Sequence, residues 1–404
     1  MFQIRVEKMD EKKNNTKGKK TSVAIVDISE HENVEEAVAH GINLIKPRLS
    51  FNFNSSNQIL LKPNLLIAKE NACTQPSFVA GVISFLKNEG VSMKNVLIGD
   101  SPGQFKKNAT EIAKKIGLFE ICDSEGIKFV NFDDEVPSSE IIPNGKRINE
   151  YYVSKPIKDC DIIINLPKLK THGEASMTGA VKNYWGIIPG GLKAKLHLKG
   201  KSPDEFGECI ADNYSWISNN KPNRITIYDL DCVMQGTMGP VSGKMVDWNL
   251  LLVGTDELAL DTIALAIGKF KGRYIPHLKQ LRERDIGVGD IEDIEIFGIS
   301  LEEAKRKTPK FKIPGSRMVK LSSYITSRII YRVTKKVPRL NAEKCIKCGE
   351  CAKNCPANAI ESEKGEYPHF QRKNCISCLC CAELCIRQAI NTKRRGIGGL
   401  FHSF

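Results

Sequence analysis

Eight cysteines in two matched runs are the residues of this chain best spaced for chemistry. Cys345, Cys348, Cys351 and Cys355 follow the order C-x2-C-x2-C-x3-C with Pro356 next, and Cys375, Cys378, Cys381 and Cys385 repeat that spacing 30 residues later. Three thiolates of such a run wrap one iron–sulfur cubane, while the fourth turns away and ligates a second one. One cluster is therefore expected on Cys345, Cys348, Cys351 and Cys385 and the other on Cys375, Cys378, Cys381 and Cys355, which makes two 4Fe-4S clusters. Each run is followed by Ala-Ile (Ala359-Ile360 and Ala389-Ile390), the mark of an internal repeat. Zinc sites usually show paired C-x2-C knuckles instead of two four-cysteine runs. Ile386 stands where the second run would carry proline, and the ninth cysteine, Cys380, has no expected ligand role. The remaining five, Cys73, Cys122, Cys160, Cys209 and Cys232, are scattered singly and read as small buried hydrophobes. Thiols crowded in this way point to metal ligation in a reducing compartment, and hence to the cytoplasm.

A second set of polar residues falls just past expected strand ends, where open α/β sheets bind ligands. It comprises Lys62-Pro63-Asn64, Gly99-Asp100-Ser101-Pro102-Gly103, and a stretch from Pro167 to Gly173 that carries Lys168, Lys170 and His172. Lys182 and Asn183 follow, then Gly186 and Pro189-Gly190-Gly191. Taken singly, each has a plainer explanation: Asp-Ser-Pro-Gly is turn chemistry, and lysines are mostly solvated. Their shared location makes them a set. Cations beside helix starts and glycine turns complement a phosphate or carboxylate. Lys168, His172 and Asp100 are the candidate catalytic groups; Lys62, Asn64, Ser101, Lys170, Lys182 and Asn183 are the candidate substrate-binding groups. No G-x-G-x-x-G follows an expected strand and there is no P-loop, so neither route to a nucleotide is supported.

The elements that must position these groups alternate. Strands are expected at 22–28, 58–61, 95–98, 127–132, 161–166, 224–228 and 250–253, and helices at 33–49, 76–88, 108–116, 204–217 and 257–270. That order argues for an α/β fold: a large, mostly parallel sheet with helices on both faces. At 404 residues the chain exceeds one hydrophobic core. The expected division is a disordered N-terminus over 1–20, the α/β domain over 21–304, a basic linker over 305–340, the cysteine module over 341–392 and a flexible tail over 393–404. Net charge is +13, yet residues 305–340 hold twelve Lys or Arg and no Asp or Glu, so the excess sits in the linker. With no helix-turn-helix, zinc finger or aromatic RNA-binding signature beside it, this charge argues against a nucleic-acid partner. Leu321, Tyr324, Ile325, Ile329 and Val333 could line one face of a helix there. Packing on a neighbouring domain is the favoured role for it, and peripheral contact with an anionic membrane surface the other. No apolar run is long enough to span a bilayer.

Over 341–392 the chain resembles the two-cluster bacterial-type ferredoxins, which implies a small α+β fold with pseudo-two-fold symmetry and low-potential one-electron transfer. Through KPNL (62–65), GDSPG (99–103), NLPKLKTH (165–172), GAVKN (179–183) and LALD (258–261), residues 21–300 resemble the family known as domain of unknown function 362, often fused to such a module. The Cys378-Leu379-Cys380-Cys381 variant is typical of that fused ferredoxin. The resemblance implies the architecture and a site around Lys62, Asn64, Asp100, Lys168, Lys170, His172, Lys182 and Asn183. A fainter similarity of residues 182–190 to the lactate racemase family hints at a hydroxy- or oxo-acid. Three functions are consistent with these readings. The first is an iron–sulfur oxidoreductase acting on an anionic small molecule. The second is an electron carrier or docking factor serving a redox partner protein. The third is a non-redox enzyme, racemase-like or ligase, with structural clusters.

Overall fold

Strand β1 (Thr21–Asp27) is apolar on both sides: Val23 and Ile25 enter one hydrophobic core, Ala24 and Val26 a second. Such a strand belongs in a sheet covered on both faces. The computed structural model contains that sheet, and describes residues 20–102, 108–200, 202–236, 239–241, 243–270, 274–313, 336–353, 355, 357–376, 380–383, 385, 387 and 389–394. The strands that follow are β2 (Ile59–Pro63), β3 (Val96–Asp100), β4 (Lys128–Asn131), a separate hairpin of β5 (Pro137–Ile141) and β6 (Glu150–Ser154), β7 (Ile162–Leu166), β8 (Lys168–His172), β9 (Ser176–Thr178), β10 (Arg224–Gln235), β11 (Lys244–Gly254) and β12 (Ile294–Gly298). Their order across the sheet is β12-β1-β11-β10-β7-β2-β3-β4, with β8 pairing β10 and β9. Pairing is parallel from β10 to β4 and between β1 and β12, while β11 runs antiparallel to both its neighbours.

Helices α1 (Val34–Ile45), α2 (Pro76–Asn88), α3 (Ala109–Lys115) and α4 (Leu118–Ser124) fill the core that holds Ala24 and Val26. The opposite face is covered by α5 (Lys155–Asp159), α6 (Ala180–Asn183), α7 (Gly190–Lys199), α8 (Pro203–Asn220), α9 (Glu257–Ile267) and α10 (Pro276–Glu283). Caps fix where several begin: the side chains of Asn33, Ser202 and Asp256 accept the backbone N–H of Glu36, Glu205 and Ala259, each satisfying one donor orphaned at a helix start. Helix α11 (Leu301–Lys307) continues past residue 304, and Phe311 and Ile313 are buried in the same core. The packed body therefore runs into the segment read as linker, because its first residues carry apolar anchors between the lysines. The helical face expected around 321–333 lies outside the described residues, as do 1–19 and 395–404.

The cysteine module is a small α+β unit. Strand β13 (Lys336–Leu340) pairs antiparallel with the strand over Ile390–Arg394, which takes in two residues assigned to the tail. Short helices α12 (Glu350–Lys353) and α13 (Cys380–Glu383) and a two-residue ladder between Ile360–Glu361 and His369–Phe370 complete it. Among the described residues no helix is long and apolar enough to cross a membrane.

Candidate functional site

At the carboxyl ends of β2 and β3 two charges leave the sheet core together. Lys62 Nζ lies 2.8 Å from Asp100 Oδ1, with both side chains excluded from solvent. Burial pushes the Lys62 amine down and the Asp100 carboxyl up, and each is opposed by the other's charge. Asp100 also accepts the N–H of Leu65 at 2.7 Å and of Ser101 at 3.0 Å, so the carboxylate organises both loops that leave these strands. Gly186 sits against the pair: a Cβ there would come 2.2 Å from Asp100 Oδ1 and 2.7 Å from Lys62 Nζ. Ser101 donates its hydroxyl to Asp133, which accepts the Gly190 N–H at 2.8 Å.

Lys168 and Lys170 lie within β8, where sequence suggested a loop beyond a strand; alternation puts both on one face and Leu169 in the core behind. Lys168 Nζ pairs with Asp229 Oδ2 at 2.7 Å, again fully buried. Lys170 Nζ instead donates to two neutral oxygens, Asn64 Oδ1 and, at 2.6 Å, Ala72 O. Burial lowers its pKa to about 7. From Lys170 a chain of side chains runs with every donor pointing the same way. Asn64 Nδ2 donates to Asn183 Oδ1 at 2.9 Å, Asn183 Nδ2 to Asn165 Oδ1 at 2.7 Å, Asn165 Nδ2 to Thr226 Oγ1 at 3.3 Å, and Thr226 Oγ1 to Glu257 Oε1 at 3.0 Å. Glu257 also accepts from Tyr184, Tyr214 and Arg224. A chain that begins at an amine and ends at a carboxylate polarises each link in the same sense.

His172 lies at the far end of β8. Its Nδ1 accepts the N–H of Glu174 and of Ala175, both at 3.2 Å, which leaves the proton of the neutral ring on Nε2. Burial holds its pKa well below the usual histidine range, and nearby Lys182 adds to the effect. Lys182 is half-buried, its Nζ 6.0 Å from the centre of the Phe206 ring. The nine candidates thus form two connected groups. Lys62, Asn64, Asp100, Ser101, Lys170 and Asn183 meet at the strand ends with Lys168 beside them, and His172 and Lys182 lie toward the helices.

Sequence reasoning passed over several partners. Asp229 and Asn165 lie inside strands, where a polar residue in an apolar run was the available signal. Lys193, which donates to Ser101 O at 2.6 Å and Pro102 O at 3.0 Å, has its pKa lowered to about 8 by burial. Asp261, in the LALD stretch, accepts the N–H of Ala180 at 2.8 Å and of Val181 at 3.1 Å and so anchors α6, which carries Lys182 and Asn183. Gly179 makes this possible, since a Cβ there would stand 2.1 Å from Asp261 Oδ1.

In the cysteine module, Cys351, Cys355, Cys381 and Cys385 share a small core with Ile360 and Ile390. Burial raises the Cys351 thiol to about 11, and Cys348 and Cys385 add to the rise, which brings the fourth cysteine of the second run beside the first. Backbone N–H groups of Lys347, Ala359 and Ala389 point at the sulfurs of Cys345, Cys355 and Cys385 at 3.4, 3.2 and 3.2 Å. Amides directed at thiolate sulfur suit an iron–sulfur cluster, whose potential they tune. Among the described residues no three His, Cys, Asp or Glu side chains converge where one metal ion could sit; thiolates that ligate separate irons of a cubane need not converge on one point. Cys378 lies outside the described residues.

Residues 338–361 match the model of the 4Fe-4S binding domain, and residues 59–266 match that of a family described as Domain of unknown function (DUF362). A thylakoid-associated protein from Synechocystis is 30% identical over 238 residues, 58% of this chain and 67% of the relative. Among solved structures, the lactate racemase apoprotein from Thermoanaerobacterium thermosaccharolyticum aligns with a TM-score of 0.39 and 14% identity, over 59% of this chain and 55% of that one. A Thermotoga maritima protein gives 0.35 and 15%, over 50% of this chain and 51% of its own. The chain therefore spans little more than half the length of those two structures. With its family match covering more than half of its 404 residues, the chain belongs to the DUF362 family and carries a C-terminal 4Fe-4S binding domain.

Proposed function

We propose that this protein is an iron–sulfur oxidoreductase whose sheet-bearing body binds a small anionic molecule. The observation that carries this reading is the crowd of lysines at the carboxyl edge of the parallel strands. Lys62 and Lys168 have carboxylate partners, whereas Lys170 and Lys193 give their hydrogen bonds to neutral oxygens. Lys170 and Lys193, buried with no carboxylate at hydrogen-bond distance, leave positive charge uncompensated in a low-dielectric setting, which an anion complements. Asp100 and Asp229 hold Lys62 and Lys168 in place. Asn64, Ser101, Lys170 and Asn183 shape the edge, and half-buried Lys182 and the buried His172 ring flank it on the side of the helices. Two 4Fe-4S clusters would be held by Cys345, Cys348, Cys351 and Cys385, and by Cys375, Cys378, Cys381 and Cys355; when bound they supply one-electron transfer. A redox partner protein and a cytoplasmic setting fit a module of this kind.

The test is a potentiometric titration of the full-length protein with and without fractionated small metabolites. If a ligand binds the oxidised and reduced forms with tenfold different affinity, a one-electron midpoint moves by about 59 mV. A fraction that moves the midpoint in the wild type, but not in Lys182→Ala, supports the reading. A midpoint indifferent to every fraction contradicts it and leaves an electron carrier.

A further inference from the structure

On the helical side of the same body, beyond Lys182, lies a polar cluster that neither the sequence reading nor the strand-end lysines account for. Phe206 of α8 is its hub. The His197 ring stacks on it at 4.7 Å and 22°, Trp185 meets it edge-on at 5.4 Å and 80°, and Lys182 Nζ stands 6.0 Å from its centre. Glu174 Oε2 lies 3.3 Å from His197 Nδ1, an ion pair when the imidazole is protonated. His277 on α10, fully buried, feels the charge of Lys182 and in turn adds to that at His172. Gly207 lets α8 approach it, since a Cβ there would stand 2.9 Å from His277 N.

Buried hydrogen-bonding capacity goes unused here. Trp185 Nε1 and both nitrogens of His277 are buried atoms with no hydrogen-bond partner among the described residues. Native interiors satisfy nearly all such groups, and several orphans in one place mark a site that something else completes. The chemistry of the atoms says what. Indole N–H only donates, a neutral imidazole donates from one nitrogen and accepts at the other, and a lysine adds a cation, so donors to an anion predominate. Glu174 is the exception, an acceptor within a donor-rich wall. The imidazoles and the carboxylate do not converge on a point suited to one metal ion.

We propose that this cluster binds a small oxyanion that also carries an O–H group. Lys182, Trp185 and His277 take the anionic oxygens and Glu174 accepts the ligand's O–H. The assignment rests on the reading that this body binds a small anion, and it locates that anion beside α6, next to the strand-end lysines. Two sources share this chemistry, a phosphate and a hydroxylated carboxylate.

Calorimetric titration of the full-length oxidised protein with inorganic phosphate, glycolate and acetate tests it, on the wild type, His277→Phe and Trp185→Phe. Saturable binding of phosphate or of glycolate is expected, whichever binds naming the source, with acetate about tenfold weaker for want of one hydrogen bond to a charged group. Each variant should weaken binding by about tenfold. His277→Phe should leave the melting temperature of the ligand-free protein unchanged or higher, because it removes two unpaired buried nitrogens. No saturable binding of either probe, or binding that both variants leave intact, overturns the proposal. If a metabolite fraction moves the cluster midpoint while neither probe binds, this assignment fails and the redox reading stands; if a probe binds here and the midpoint never moves, the outcome is the reverse.

Discussion

Lys170 ties the site's charge to a measurable stability. Its pKa is about 7 in the fold against 10.5 for an ordinary lysine. Between those values the unfolded chain binds more protons than the native one, so this group makes stability rise with pH from 7 toward 10.5. The rise is of order a few kcal/mol. Lys193, lowered to about 8, contributes in the same direction. The comparison to make is therefore Lys170→Met against wild type in chemical denaturation across that window. A flatter pH dependence in the variant is expected, and parallel curves would mean that Lys170 is not desolvated as the structure shows. Asp100 gives a second test at this scale. Asp100→Ala leaves the Lys62 amine buried beside no carboxylate, which costs about 3–5 kcal/mol. Restoration of most of that loss by the apolar pair Lys62→Met/Asp100→Leu would show that the loss came from an uncompensated charge. A loss below about 1 kcal/mol, as for an exposed pair, would refute the burial.

The elements were legible in the sequence wherever a single period ruled. The helix over Pro76–Asn88 ends where its periodicity ends. The strands at 59–63, 96–100 and 162–166 are apolar runs in a sheet covered on both faces, and read as such. Where the chain was read wrongly, polar residues inside strands were the cause. The Lys168–His172 stretch looked like a loop because its lysines and histidine resemble surface residues, yet Asp229, Asn64 and Ala72 supply the partners that let it be buried. Such partners come from residues 61 to 106 positions away, and no local pattern reports them. Strands β10 and β11 were cut short for the same reason: Asp229, Asp231 and Asp247 interrupt their apolar pattern. The candidate site was legible as a set of motifs at strand ends, and its division into two groups was not. The turn over residues 184–187 tests the close packing of these elements. Gly186→Ala should lower the melting temperature by an amount equivalent to about 1–3 kcal/mol, since its Cβ overlaps the Lys62–Asp100 pair. Gly117→Ala, with open space around it and φ at +79°, should cost only about 1 kcal/mol from backbone strain. Equal melting of Gly186→Ala and wild type would refute the close approach.

At the scale of the whole molecule, a body with a crowd of buried lysines and a module with two cysteine runs share one chain. If the runs exchange their fourth ligands, the reconstituted protein should hold about eight iron atoms per chain. Cys385→Ser should then perturb the cluster of the first run while sparing the second. About four iron atoms in the wild type would mean one cluster. If the two parts form one redox enzyme, as proposed, anaerobic reoxidation will report it. The protein is reduced, and the visible absorbance of its clusters is followed as fractionated small metabolites are added, for wild type and for Lys182→Ala, which removes the half-buried amine beside Phe206. One anionic fraction is expected to reoxidise the wild type, and the variant to respond far more slowly. Equal rates in the two proteins with every fraction would contradict it.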